Sequence, residues 1–528
     1  MQNGSRKTVG IPRLYLAIFL TGFSSIRAFG ADPSDILLDL FVKKGFVTEE
    51  EAKRVKTEAD ALRAGTTNAS PAIAESKWKI NNAIKNVELF GDLRLRYEQR
   101  EAKAASGRIE LDRGRYAARI GLRGEAFDDF YYGFRLDTAA NPRSPWVSFA
   151  TSTSGVPYQG PFGKSSASVN IGQIYLGWTA ANWLDITVGK MPNPFFTTPM
   201  VWDPDLNPEG IAERLKYTVG QADLFATFGQ FLYADLNPNF ASGGFGVGIN
   251  GLTGQNTDNI LLLGWQAGVE YHFTTNLSAK VAASLYDYIG LKTNLPPYFG
   301  DAYVGEGAYL GPGSGSINGA SGYNPGASAA TPGFFAGFPN NQTGVRHLLI
   351  VDVPFQVNFN VGPFDTRLFG DVSYNLEGSQ RAKEAAAAYA NYLSANSASI
   401  SAFSPQQNDV KAYQVGFAVG NHGSLGLVNN TVSRKHGWEI RAYWQHVEQY
   451  ALDPNLLDSD FFEGRANMEG IYGSFAYGLG RNVIGTVRYG HGSRINDKLG
   501  TGGSNQDIPQ VNPINHYELL QLDLSWRF

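Results

Sequence analysis

The stretch "LQLDLSWRF", Leu520 to Phe528, sets Leu520, Leu522, Leu524 and Trp526 against Gln521, Asp523, Ser525 and Arg527. Successive side chains on a strand point to opposite faces, so the segment has one greasy side and one polar side. The same period recurs upstream. In "VELFGDLRLRYEQR", Leu93, Leu95 and Tyr97 oppose Arg94, Arg96 and Glu98. In "RYAARIGLRGE", Tyr116, Ala118, Ile120 and Leu122 oppose Arg115, Arg119 and Arg123. "LLLGWQAGVEYHF" (261–273) and "HGWEIRAYWQ" (436–445) repeat it.

A soluble sandwich also alternates, so the connections decide the class. Sixteen strands are expected between residues 86 and 528. Short links such as "AN" (181–182), "TTN" (274–276) and "VGP" (361–363) alternate with long ones near 100–112, 141–168, 191–210, 233–259, 289–345, 378–408, 450–466 and 494–513. One link, 421–433, is longer than its class. Short turns on one side and long loops on the other are the build of outer-membrane barrels. Phe127, Phe130, Trp183, Phe273, Trp526 and Phe528 cluster at the short turns, as an interfacial aromatic girdle would. The expected fold is an all-β transmembrane protein: one antiparallel up-and-down β-barrel of about sixteen strands over 86–528, after a short periplasmic α-helical segment. Its last strand must zip to its first, because an open edge in lipid leaves backbone groups unpaired at several kcal/mol each.

Composition agrees and excludes some chemistry. Gly (61), Tyr (26) and Phe (33) are abundant among 528 residues, which suits strands and turns. The absence of Cys removes disulfides, thiolate metal sites and Cys nucleophiles. The seven His form no HExxH motif, and the Gly-rich stretches at 313–316 and 500–504 do not join a strand to a helix as a phosphate cradle must. No enzyme, cofactor or nucleic-acid partner is expected.

The first thirty residues read as a signal peptide. Arg6, Lys7 and Arg13 precede the apolar run 14–23, and small residues Ala28 and Gly30 follow. Removing 1–30 takes away four basic residues and shifts the formal charge from −4 to −8. Residues 31–64 have a helical pattern, with Thr48 and Glu51 as a capping box and Val55, Ala59 and Leu62 at the step of a coiled-coil seam. That segment would join subunits, reach the cell wall, or have no partner. A linker at 65–85 follows.

Three stretches carry a family likeness: "LLDLFVKKGFVTEEEA" (37–52), "VGKMPNPFFTTPMVWDPDLNPEG" (188–210), and the span from "GWEIRAYWQHVEQYALDPNLLDSDFFEG" to "GRNVIGTVRYG" (437–490). With these the chain resembles the bacterial family named "Putative porin". The resemblance implies an outer-membrane channel for passive diffusion of small hydrophilic solutes. It also implies lipid and lipopolysaccharide around the barrel, a homotrimer, and a C-terminal Phe528 presented to the barrel assembly machinery.

Inward parity places Arg94, Arg96, Arg115, Arg119, Arg123 and Arg135 as a ladder on one wall. In general porins the third long loop folds into the barrel. The resemblance therefore sets Asp203, Asp205 and Glu209 across a constriction from those arginines, in a transverse field that favours polar solutes. Three alternatives stay open. The arginines brace the wall against Asp92, Glu98, Glu125 and Asp137; the channel is specific for an anion or sugar; or loops 289–345 and 378–408 plug a structural or adhesive barrel. Asp203, Asp205 and Asn207 also match part of a calcium loop, without its Gly and terminal Glu.

Overall fold

The computed structural model describes residues 50, 83–104, 107–127, 129–139, 144–149, 168–234, 260–290, 303–304, 308–309, 347–383, 408–501, 508 and 513–528. The signal peptide, residues 65–82 of the 65–85 linker and, apart from the helical Glu50, the segment 31–64 lie outside the described residues, as do most of loops 289–345 and 378–408.

Alternation becomes structure in sixteen strands. The first eight are β1 (Glu88–Ala104), β2 (Gly107–Glu125), β3 (Phe130–Ala139), β4 (Ser168–Ala181), β5 (Leu184–Lys190), β6 (Glu209–Val219), β7 (Ala222–Ala234) and β8 (Ile260–Thr274). The next is β9 (Leu277–Ile289). Then comes β10, in two pieces (Leu349–Asp352 and Phe355–Val361) because Pro354 has no amide to give to the ladder. The rest are β11 (Phe364–Asn375), β12 (Lys411–Asn421), β13 (Trp438–Val447), β14 (Met468–Gly478), β15 (Val483–Arg494) and β16 (His516–Arg527).

Each strand pairs antiparallel with its successor, and β16 pairs with β1 from Asp92↔Arg527 to Lys103↔His516. Phe528 extends the seam: its amide donates to the Gly91 carbonyl and its carbonyl accepts from the Gly91 amide, both at 3.0 Å. The sheet is therefore closed and has no edge. Its outer face carries exposed Leu89, Leu93, Leu95, Ile120, Leu122, Ile174, Leu176, Val188, Phe417, Ile471 and Val487. In water that surface would drive association; against lipid it is the matching solvent. Exposed Phe127, Trp183, Phe273, Trp526 and Phe528 sit at the short-turn end. No described helix is long and apolar enough to cross a membrane.

Two connections differ from the sequence reading. The segment 100–112, expected as a loop, is mostly strand, and β1 and β2 stay in register up to Ala104↔Gly107. Alternation never stops there. The outward residues change from Leu and Tyr to the polar pairs Gln99–Glu110 and Glu101–Arg108, because the hairpin has outgrown the apolar band, while the inward ones turn apolar at Ala102, Ala104, Ile109 and Leu111. The over-long link, between β12 and β13 at 422–437, folds inward. Leu427 and Val428 are buried against Ala476 and Ile484, and the Glu439 carboxylate accepts the amides of Gly426 and Val428 at 2.8 and 2.9 Å.

Candidate functional site: two loops inside the barrel

Loop L3 (191–208) leaves β5 and runs across the lumen. Phe195 fills space left by Gly229 and Gly264, where any Cβ would collide with its ring, and it meets Tyr286 edge-on at 5.3 Å. The Gln266 carboxamide bonds the Phe196 backbone twice, accepting from its amide at 2.9 Å and donating to its carbonyl at 2.7 Å. The Thr198 hydroxyl then donates to Asp371 on β11 at 2.7 Å. Met200, Val201 and Trp202 are buried in an apolar cluster with Phe231, Ile260, Leu262 and Tyr288 of the wall.

Loop L7 (448–467) enters from the opposite wall and meets L3. Its Ala451, Leu452 and Leu457 join the same cluster. The Tyr288 hydroxyl donates to Asp453 at 2.7 Å, and the Asp203 amide to the Leu456 carbonyl at 2.6 Å. Phe461 and Phe462 stack at 3.8 Å beside Tyr443 and Tyr472. An apolar core inside a water-facing wall is what holds these loops in the lumen.

The nine sequence-nominated residues divide sharply. Asp205 reaches the arginine wall and accepts from Arg119 at 2.9 Å. Asp203 does not; it is buried and accepts the Ser459 amide and hydroxyl of L7 at 3.2 and 3.1 Å. Glu209 shares the outer face with Val188 and Ile211 and pairs with Lys190 at 2.5 Å, so it is not on the lumen wall. Asn207 accepts from Gln173 at 2.9 Å. Asp203, Asp205 and Asn207 thus turn toward three different partners, and no three carboxylates or histidines among the described residues stand close enough to share a metal.

Among the arginines, Arg96 and Arg115 are almost fully buried. Arg96 binds Asp523 through Nε at 2.7 Å and Asp460 through Nη1 at 2.7 Å, and its guanidinium lies 4.0 Å from the centre of the Trp146 ring. Arg94 pairs with Asp92, Arg135 with Asp137 at 2.7 Å, and Arg123 with Glu88 at 2.7 Å nearer the short-turn end. Water reaches Asp460 and Asp205, whose side chains are 33% and 22% exposed, and to a smaller extent Arg94, Asp92, Arg135 and Asp137. The accessible surface beside the loops is therefore of mixed charge.

Sequence reading missed Asp460, Asp523 and Arg488. Asp523 and Arg488 show lumen parity in their strands, a usable signal; Asp460 lies in an irregular loop with none. Glu98, named above as a brace, pairs with Arg113 at 2.6 Å and Arg100 at 3.0 Å in a dense network on the wall.

The loop junction concentrates carboxylates. Burial and the nearby Asp205 and Asp460 charges push Asp203 up to about 7. Burial, with Asp203 and Asp460 alongside, raises Asp458 well above the carboxylate range. Desolvation works the same way on Asp460, but the Arg96 guanidinium outweighs it and holds Asp460 below its ordinary value.

Comparison with known families matches residues 106–299 and 349–528 to the family described as "Putative porin". The chain belongs to that family. No curated protein matches significantly. Among solved structures, this porin is similar to Salmonella typhi OmpF in complex with daunomycin (10% identity, TM-score 0.40, 85% of this chain and 99% of that one). It is similar also to the outer-membrane channel DcaP of Acinetobacter baumannii (12% identity, TM-score 0.36, 84% and 97%). Family and closed barrel together point to an outer-membrane channel rather than an enzyme.

Proposed function

We propose that the protein is a porin for passive diffusion of small hydrophilic solutes and ions, with its constriction where L3 and L7 approach the arginine wall. The supporting observation is that partly exposed loop carboxylates reach the wall there, Asp205 to Arg119 and Asp460 to Arg96, beside the partly exposed wall pairs Arg94–Asp92 and Arg135–Asp137. Such a gap holds oriented water and lets polar solutes pass without the desolvation that apolar ones would impose on its charges. In this reading the chain loses residues 1–30, sits in the outer membrane of a Gram-negative cell among lipopolysaccharide, works as a homotrimer, and keeps both barrel termini on the periplasmic side with the short turns.

A second reading, a channel specific for one anion or sugar, is favoured by how much of the lumen L3 and L7 fill with apolar side chains. Planar-bilayer recording separates the two. A general porin gives stepwise current with weak solute preference, a specific channel gives current that its solute blocks, and a sealed barrel giving no current would refute both.

A further inference from the structure

Beneath the part of L3 that crosses the wall, two carboxyl groups are buried side by side. Asp352 on β10 and Asp371 on β11 are each 0% exposed and lie within hydrogen-bonding reach of one another. Among the described residues, neither forms an ion pair. Asp352 Oδ1 accepts from the Ser373 hydroxyl at 2.7 Å, and Asp371 Oδ2 accepts from the hydroxyl and amide of Thr198 at 2.7 and 3.3 Å. The other oxygens, Asp352 Oδ2 and Asp371 Oδ1, have no donor.

One further buried oxygen beside them is also unsatisfied. Gln414, 2% exposed, is the direct cross-strand neighbour of Asp371 on the same face. Its Nε2 donates to Gln445 Oε1 on the far side at 2.8 Å, which turns its own partnerless Oε1 back toward β11. Rotating that amide would set its oxygen against the Gln445 oxygen.

Two carboxylates cannot be buried together without a positive charge between them. A shared proton would satisfy the carboxyls but leave the Gln414 oxygen facing them. A hard cation satisfies all three oxygens, since carboxylates and carboxamide oxygens are the ligands such ions take. We propose that Asp352, Asp371 and Gln414 hold a divalent cation of the calcium class, which pins L3 to the wall through Asp371 and Thr198. The site is separate from the charged gap, and it stands or falls independently of what the channel transports.

The test uses the full-length protein in detergent, stripped with EDTA and titrated with CaCl2 while heat of binding and thermal midpoint are followed. One saturable site per chain and a raised midpoint are expected. Asp352→Asn, which keeps the volume, should lose both, and Gln414→Met should weaken the affinity without preventing folding. The proposal is overturned if the stripped wild type shows neither effect between pH 5.5 and 8. It is equally overturned if Gln414→Met and Asp352→Asn both titrate like the wild type, or if Asp352→Asn only raises the midpoint in the absence of calcium, the mark of a shared proton.

Discussion

Arg96 on the first strand donates to Asp460 of L7 at 2.7 Å across 364 residues of sequence. The same guanidinium holds Asp523 on the strand that closes the barrel, so one side chain ties the seam to the inserted loop. Removing it leaves the buried Asp523 with Arg488 alone and takes from Asp460 its 2.7 Å partner. Breaking a buried pair from one side costs about 3–5 kcal/mol. Arg96→Met should therefore lower the unfolding temperature of the purified barrel markedly. Asp460→Asn, at a position one-third exposed, should cost about 1 kcal/mol or less. Equal losses in denaturant titrations of the two variants would show that the seam does not depend on Arg96.

Charge at the gap should set ion preference. Asp205→Asn removes a water-accessible carboxylate from L3, and the reversal potential in a salt gradient is expected to move toward anion selectivity. Arg135→Gln leaves Asp137 without its 2.7 Å partner and should move it toward cations. Arg115→Gln changes a side chain only 1% exposed, and its effect on the potential should be the smallest of the three. If all three leave the potential where it was, the accessible pairs do not filter ions.

The grip of L3 on L7 should depend on pH through Asp203. Its folded value of about 7 lies above its ordinary value of 3.8. Below about pH 4 the carboxyl is protonated whether the loops are docked or free, and the junction keeps its full stability. Between pH 4 and 7 the free loop gives up the proton while the docked one retains it, so docking weakens as pH rises, and above about 7 the loss is complete. Amide exchange of 198–206 and 455–460 should be slower at pH 5 than at pH 8 once intrinsic rates are corrected. Asp203→Asn should flatten that difference; a dependence equal to the wild type would assign it to another group.

Strand parity was legible because lipid and water impose opposite demands on alternate residues. Thus Leu93 and Arg94 could be sorted without coordinates, and the sixteen strands fall close to their expected bounds. Parity loses force where the outer surface leaves the apolar band, which is why 100–112 reads as a loop although most of it continues the ladder. It also says nothing about loops. Asp203, Asp205 and Glu209 look alike in "DPDLNPE", yet one is buried against L7, one meets Arg119 and one faces outward, because each orientation is fixed by tertiary partners 256 and 86 residues away or by the start of β6. Glu209 was the avoidable error: it already belongs to the period of Ile211 and Leu215.

Phe195 offers the sharpest separation of loop from barrel. It is 7% exposed and wedged among Phe231, Tyr286, Trp202 and the two glycines of β7 and β8, yet it takes no part in the strand ladder. Truncating a buried Phe to Ala costs about 3–5 kcal/mol. Here that loss falls on the docked state of L3, which the barrel does not need in order to stay closed, since every backbone bond between β16 and β1 remains. Phe195→Ala should accordingly raise single-channel conductance and open-channel noise while the heat-induced mobility shift of the barrel on gels changes little. A collapsed barrel with no rise in conductance would mean that L3 supports the wall, and that the apolar cluster is the core of the whole molecule rather than the anchor of one loop.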